Sequence, residues 1–257
     1  MSTKVGRRMD PRSPRGSGSG YAGGLPHAAI FDYSFDGTLQ AIDQSLLRLG
    51  TERIDIALIH DVDAHTHGRG ALDRRFAEAM EGALPALSRL KREGVVRAVG
   101  IGVNEADIAA RFARAGDFDC VLLAGRYTLL EQPALDDFLP LAAQRGIGVI
   151  LGGVFNSGIL ATGPVADARY DYRMAPRDVL ERVRRIAAVC SAHGVPLPAA
   201  ALRFALAHPA VAAVVLGAVS PVEVERNRAA LSQSVTAGLW AQLVGEKLLR
   251  EDAPVPG

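Results

Sequence analysis

From residue 36 onward, the apolar positions of this chain fall into two alternating textures. One has helical spacing: in GTLQAIDQSLLRLG, Leu39, Ile42, Leu46 and Leu49 recur three or four apart, and Gly50 supplies a stop. The other is a short unbroken apolar run, IDIALIH, of the kind that forms a strand buried on both faces. The pair then repeats. FAEAMEGALPALSRLKREG feeds VRAVGIGV, EADIAARFARAG feeds CVLLAG, LDDFLPLAAQRG feeds GVILGG, and RDVLERVRRIAAVCSAHG with AAALRFALAHP feeds AVAAVVLGAV. Two further helical stretches, PVEVERNRAALSQ and LWAQLVGEKLL, close the pattern.

Strands alternating with helices imply parallel pairing through right-handed crossovers. Counting STKV at the front gives about six strands, whereas a closed TIM (β/α)8 barrel has eight. An open doubly wound sheet would place GxGxxG or GxxxxGK[ST] after its first strand, and neither motif is present. The expectation is therefore an α/β fold of about six parallel strands, an incomplete barrel whose first two βα units are missing, with residues 1–257 forming one domain. Residues 7–35, rich in Gly, Pro and Arg, read as a flexible loop within it, and its glycine-rich part at 16–24 as a specificity loop.

Composition narrows the class of partner. Lys plus Arg total 29 against 28 Asp plus Glu, which leaves no basic excess for nucleic acid or an anionic membrane and favours a small molecule. Cys120 and Cys190 stand in apolar surroundings without metal-ligand spacing, as core thiols of a reducing compartment would. No apolar stretch approaches the roughly 18–20 residues that span a bilayer, and no leading segment has signal-peptide character, so a cytoplasmic location is expected.

In parallel barrels the functional groups sit where strands give way to loops. His60 ends DIALIH and is the best placed histidine; a core histidine satisfied by a neighbouring backbone group is the competing reading. The following HDVDAHTHG offers His60, Asp61, Asp63, His65 and His67 to a metal, although only His60 is anchored by a strand, and no metal is expected. Lys4 is the second candidate, because a lysine retained within a short strand points at an acid or a site. GGVFNSGIL brings small residues and the backbone N–H groups of Asn156, Ser157 and Gly158, suited to covering a pyrophosphate. LGAVSPVEVERN sets Gly217, Ala218 and Ser220 before a helix whose N-terminus favours phosphate.

Taken together, STKVGR, FDYSFDGTLQAIDQSLLRLG running into IDIALIHD, VRAVGIGVNE, LLAGRYTLLEQ, FNSGIL and VVLGAVSPVEVERN resemble the aldo-keto reductase family, in its D-threo-aldose, L-fucose and pyridoxal dehydrogenase branch. The resemblance implies hydride transfer between NAD or NADP and the carbonyl or carbinol carbon of a sugar or aldehyde. It assigns catalysis to Lys4 and His60, the nicotinamide carboxamide to Asn104, the pyrophosphate cover to Ser157, Gly158 and Leu160, and the adenosine end to Gly217, Ala218, Ser220 and Asn227. The family's catalytic tyrosine and aspartate lie in a segment resembling FDTAPYYG, upstream of the lysine strand, which this sequence lacks; the opening stretch then corresponds to the third strand of the barrel. Tyr33 and Tyr127 have their own counterparts and do not replace the tyrosine. Gly217 and Glu223, where NADP-selective relatives carry basic residues, imply a preference for NAD unless Arg226 serves the 2′-phosphate. Alternatives are a catalytically silent nucleotide-binding relative and a metal-dependent hydrolase using His60, Asp61, His65 and His67. Exposed barrel edges would favour self-association.

Overall fold

The computed structural model describes residues 1–12 and 27–256, which divide into two compact units, Met1–Leu122 and Leu123–Gly257. The proposed specificity loop at 16–24 lies outside the described residues. The first unit runs β1 (Ser2–Asp10), β2 (Ala28–Asp32), α1 (Phe35–Leu49), β3 (Ile54–His60), α2 (Ala64–His67), α3 (Arg69–Glu78), α4 (Leu84–Arg92), β4 (Val96–Val103) and α5 (Ala106–Ala115). The boundary falls inside β5 (Cys120–Ala124). The second unit continues with α6 (Phe138–Arg145), β6 (Gly148–Gly152), α7 (Ile159–Thr162), β7 (Arg169–Tyr170), β8 (Arg173–Met174), α8 (Arg177–Ala192), α9 (Leu197–Ala205), β9 (Val211–Val215), α10 (Pro221–Leu231) and α11 (Ala237–Gly245).

All six apolar runs expected as strands form strands: β1, β3, β4, β5, β6 and β9. In the first unit, β1 pairs in parallel with β3, and β3 with β4, in a register that sets Lys4 beside Leu58 and His60 beside Gly102. Val5, Ala57, Leu58, Ile59, Val99 and Ile101 are buried, as strands covered on both faces require. Helix α1 starts at Ser34, whose side chain accepts from the Gly37 N–H at 3.1 Å, and stops at Gly50 in the left-handed conformation. Its Ala41, Ile42 and Ser45 are buried, and the Ser45 hydroxyl lies 3.3 Å from that of Thr3 on β1.

Two expectations are corrected in this unit. Residues 7–35 are not a loop throughout: β1 continues to Asp10, and its second half pairs antiparallel with β2, from Gly6 opposite Asp32 to Asp10 opposite Ala28. The strand changes partner at Gly6, whose φ of 100° an L side chain would resist. The three charged positions after Gly6, Arg7, Arg8 and Asp10, disguised a strand, because Arg7 and Arg8 pair with Asp61 and Asp32. The expected single helix over 76–94 is also broken by a π-helical turn at Ala79–Ala83. There Gly82 presses on the start of α1: a Cβ at this position would lie 2.5 Å from the Tyr33 carbonyl oxygen and 2.9 Å from the Phe35 nitrogen.

In the second unit β6 and β9 pair in parallel, with a register shift between Val149 and Ile150. Helix α8 buries Val183, Ile186, Val189 and Cys190, and α9 buries nearly its whole length. The run AVAAVV was read as buried, yet Ala212, Ala213 and Val215 are exposed. Among the described residues of this unit, β9 pairs only with β6 and so presents an open edge. Each unit holds one buried free thiol, Cys120 and Cys190, both pushed up to about 11 by burial. Among the described residues no single helix is long and apolar enough to cross a membrane.

The contact at Gly82 predicts that Gly82→Ala destabilises the protein by about 2–3 kcal/mol, since backbone rather than a flexible side chain blocks the methyl. Gly70→Ala, in the first turn of α3 with open space around it, is expected to be neutral or stabilising by under about 1 kcal/mol. Urea unfolding of the two variants, compared at equal m-value, measures the difference.

Candidate active site

His60 closes β3 with its ring half-buried and engaged at both nitrogens. Nδ1 lies 3.1 Å from Arg7 Nη1, and Nε2 lies 3.1 Å from Asp61 Oδ1. Arg7 Nη2 donates to Asp61 Oδ2 at 2.7 Å, which closes a three-residue circuit. The Arg7 guanidinium rests 4.4 Å above the Phe31 ring of β2. Asp61 adopts a φ of 57° and donates its N–H to the Gly102 carbonyl at 2.9 Å. Burial holds the His60 pKa down at about 4; the nearby positive charges of Lys4 and Arg7 act the same way, while Asp61 and Asp63 act against it. The imidazole is therefore neutral over the ordinary physiological range.

Lys4 is exposed on β1 and close enough to His60 for its charge to act there. A lysine buried within the strand, the basis on which the sequence singled it out, is thus not what is found. Tyr33 is buried, donates its hydroxyl to the His60 carbonyl at 2.8 Å, and lies 2.9 Å from His67 Nε2. Burial raises its phenol well above the ordinary range, so the group serves to fix the end of β3 rather than to exchange protons.

Asp63 is fully buried and caps α2, its Oδ1 accepting from the Thr66 N–H at 2.9 Å. Its Oδ2 accepts from both the backbone N–H and the side-chain amide of Asn104, at 3.0 and 2.9 Å. Burial raises its pKa, but the hydrogen bonds from Asn104 and Thr66 together outweigh that effect and hold the carboxyl below its usual value. Asn104 is thereby held at the end of β4 beside the end of β3. Asp63 and His67 thus have structural partners of their own, and among the described residues no three His, Cys, Asp or Glu side chains gather to hold a metal.

The second unit carries a cleft of about 540 Å³ whose walls include Ser157, Gly158, Gly217, Glu223, Arg226 and Asn227. Four of the residues the sequence assigned to the nucleotide meet here: Ser157, Gly158, Gly217 and Asn227. Leu160 is buried, Ala218 is exposed on the loop, and Ser220 caps α10 by accepting from the Glu223 N–H at 3.3 Å. Glu223 answers by accepting from the Val219 N–H at 2.9 Å, a reciprocal arrangement that fixes the loop and leaves Arg226 exposed one turn along.

The strap over this cleft is a backbone built in the left-handed region. Asn156, Ser157 and Gly158 have φ of 46°, 60° and 102°. The Asn156 and Gly158 N–H groups expected to face a pyrophosphate are donated instead to the Gly153 and Phe155 carbonyls, at 2.8 and 3.0 Å. The strap is pinned from outside: Glu131 accepts from the Asn156 amide at 3.2 Å and from the Tyr170 hydroxyl, and Ser157 Oγ accepts from the Tyr172 N–H at 3.0 Å. Tyr172 and Asp171 turn the β7–β8 hairpin with φ of 64° and 47°.

The sequence reading missed Arg7 as a partner of His60, and Glu131, Tyr170 and Tyr172 as the fixings of the strap. For Arg7 a signal existed, the alternation of STKVGRRMD that puts it on one face with Val5 and Met9.

Comparison with known proteins identifies the family. A family model described as "Aldo/keto reductase family" matches residues 1–244. The pyridoxal 4-dehydrogenase of Microbacterium luteolum is 38% identical over 247 residues, 96% of this chain and 72% of the relative. The D-threo-aldose 1-dehydrogenase of a Pseudomonas species is 39% identical over 255 residues, 97% of this chain and 75% of the relative. Among solved structures, an aldo-keto reductase from Bacillus halodurans in its holo form superposes with a TM-score of 0.70 over 100% of this chain and 74% of that one; at 24% identity this is a likeness of fold.

The depressed pKa of His60 makes a pH prediction for the fold. Its unfolded ring takes up a proton as pH falls through 6.5, whereas the folded ring resists until about 4, so its contribution to stability is complete above 6.5 and is lost on descending toward 4. His60→Gln is expected to flatten the loss of stability across that window, measured by urea unfolding at stepped pH.

Proposed function

Since this chain belongs to the aldo/keto reductase family and is related to aldose and pyridoxal dehydrogenases, we propose that it takes NAD, with NADP as the weaker ligand, for hydride exchange with the carbonyl or carbinol carbon of a sugar or aldehyde. The observation that carries this reading is the convergence of Ser157, Gly158, Gly217 and Asn227 on one cleft in the second unit. A nicotinamide dinucleotide fits the chemistry of that lining: a strap of small residues, an exposed Gly217, the amide of Asn227 and a single guanidinium, Arg226, among the charged groups. When bound, the nucleotide supplies or accepts the hydride. Ser157 and Gly158 would cover the diphosphate and Asn227 would meet the adenosine.

In the first unit, neutral His60 is suited to donate a hydrogen bond to the substrate oxygen, and Lys4 to favour the charged form of a proton-transferring neighbour. The silent nucleotide-binding reading shares the same cleft and is separated from the dehydrogenase by turnover alone. The metal-dependent hydrolase is not favoured, because His60 and Asp61 are engaged by Arg7 and His67 by Tyr33.

Preference for NAD follows from Glu223. Its carboxylate is held in the cleft wall by the Val219 N–H, where it repels a 2′-phosphate, and loss of a charge-assisted partner weakens phosphate binding by about 1.5–3 kcal/mol. Titration with both oxidised nucleotides is expected to give at least about tenfold tighter binding of NAD, or about 1.4 kcal/mol. Tighter NADP binding that disappears in Arg226→Ala would reverse the assignment, and binding of neither would overturn the nucleotide reading. Mixing the NAD-bound chain with aldoses and aldehydes then distinguishes dehydrogenase from silent relative.

A further inference from the structure

We propose that Arg7, held by Asp61, is a positioning residue that fixes the ring proton of His60 on Nε2. The argument begins with what an arginine can do. A guanidinium carries only donors and keeps its proton at any pH a folded protein meets, so the nitrogen facing it must offer a lone pair. The nitrogen facing Arg7 is Nδ1, at 3.1 Å. A neutral imidazole has one N–H, and with Nδ1 accepting, that proton resides on Nε2. The second partner agrees with the first: Nε2 lies 3.1 Å from Asp61 Oδ1, an acceptor that favours an N–H and repels a lone pair.

The circuit is built so that its members hold one another. Arg7 cannot turn away from Nδ1 without leaving both the Asp61 carboxylate at 2.7 Å and the Phe31 face at 4.4 Å. Asp61 is held in the left-handed region, with its N–H donated to Gly102. The backbone of His60 is pinned by Tyr33, which leaves ring rotation and tautomer as the freedoms that Arg7 and Asp61 remove. Nothing in this depends on the nucleotide or on the second unit. What the proton is for does rest on the proposed function: Nε2–H becomes the donor a substrate oxygen would meet, with the Asp61 carboxylate as the contact exchanged when the oxygen arrives.

The experiment reads the tautomer directly in the free protein. Long-range proton–nitrogen correlation spectra of the 15N-histidine-labelled full chain, with His60 assigned by its loss in His60→Gln, report which ring nitrogen is protonated. The expected wild-type result is a pyridine-type Nδ1 and a pyrrole-type Nε2 across pH 6–8. In Arg7→Met the two signals are expected to move toward averaged positions as the tautomers mix, and in Arg7→Lys, which restores a donor without an acceptor, the wild-type pattern is expected to return at least in part. Protonated Nδ1 in the wild type would overturn the proposal, as would an unchanged pattern in a folded Arg7→Met. Should Arg7→Met not fold, Asp61→Asn replaces it: the freed Arg7 is expected to relax the tautomer, and an unchanged pattern there counts against the proposal. Nucleotide titration of the same wild-type sample tests the functional reading separately, since failure to bind NAD or NADP leaves the tautomer result as it stands.

Discussion

A buried carboxylate cannot remain ionised without donors around it, and at Asp63 this constraint organises the ends of two strands. Removal of a charged oxygen from water costs several kcal/mol unless each lone pair is met, and here Thr66 and both nitrogens of Asn104 meet them. The result is a joint. The short helix α2 is capped, the loop leaving β3 is turned back, and Asn104 is fixed at the end of β4. His60 ends the strand and Asp61 leads into this joint, so their geometry depends on Asp63.

The second unit solves its positioning problem differently, with backbone conformation rather than a buried charge. Asn156 and Ser157 occupy the left-handed region without being glycine, and Asp171 and Tyr172 do so on the hairpin that touches them. Such conformations persist where surrounding contacts over-determine them. Glu131 and the Ser157–Tyr172 bond provide those contacts, so the strap owes its shape to residues outside the cleft it covers. A consequence for engineering is that the cleft wall can be altered at Glu131 or Tyr170 without touching any lining residue.

How much of this the sequence disclosed follows from which signals are local. Short, largely apolar runs revealed β3, β4, β5, β6 and β9, although β9 is exposed at three positions, and STKV revealed only the start of β1. Strand β2 and the second half of β1 stayed hidden, since Arg7 and Arg8 read as solvated charges until Asp61 and Asp32 are seen opposite them. The π-helical turn was invisible for a similar reason: Gly82 is small because of the backbone of Tyr33–Phe35, nearly fifty residues away in sequence. Four of the positions assigned to a nucleotide line one cleft, while Ser220 caps a helix and Leu160 is buried, roles that the same residue types fill in any helix. Lys4 was singled out as a lysine retained inside a strand, and it is exposed rather than buried.

The two cysteines have a use that their burial creates. Each unit contains one thiol, shielded and with a raised pKa, so neither presents a thiolate to reagents while its unit stays closed. Their alkylation is therefore gated by opening, and the rate at each site becomes a clock for the unit that contains it. Mass-spectrometric reading of Cys120 and Cys190 alkylation in one sample would time the breathing of each unit separately, with no substitution introduced.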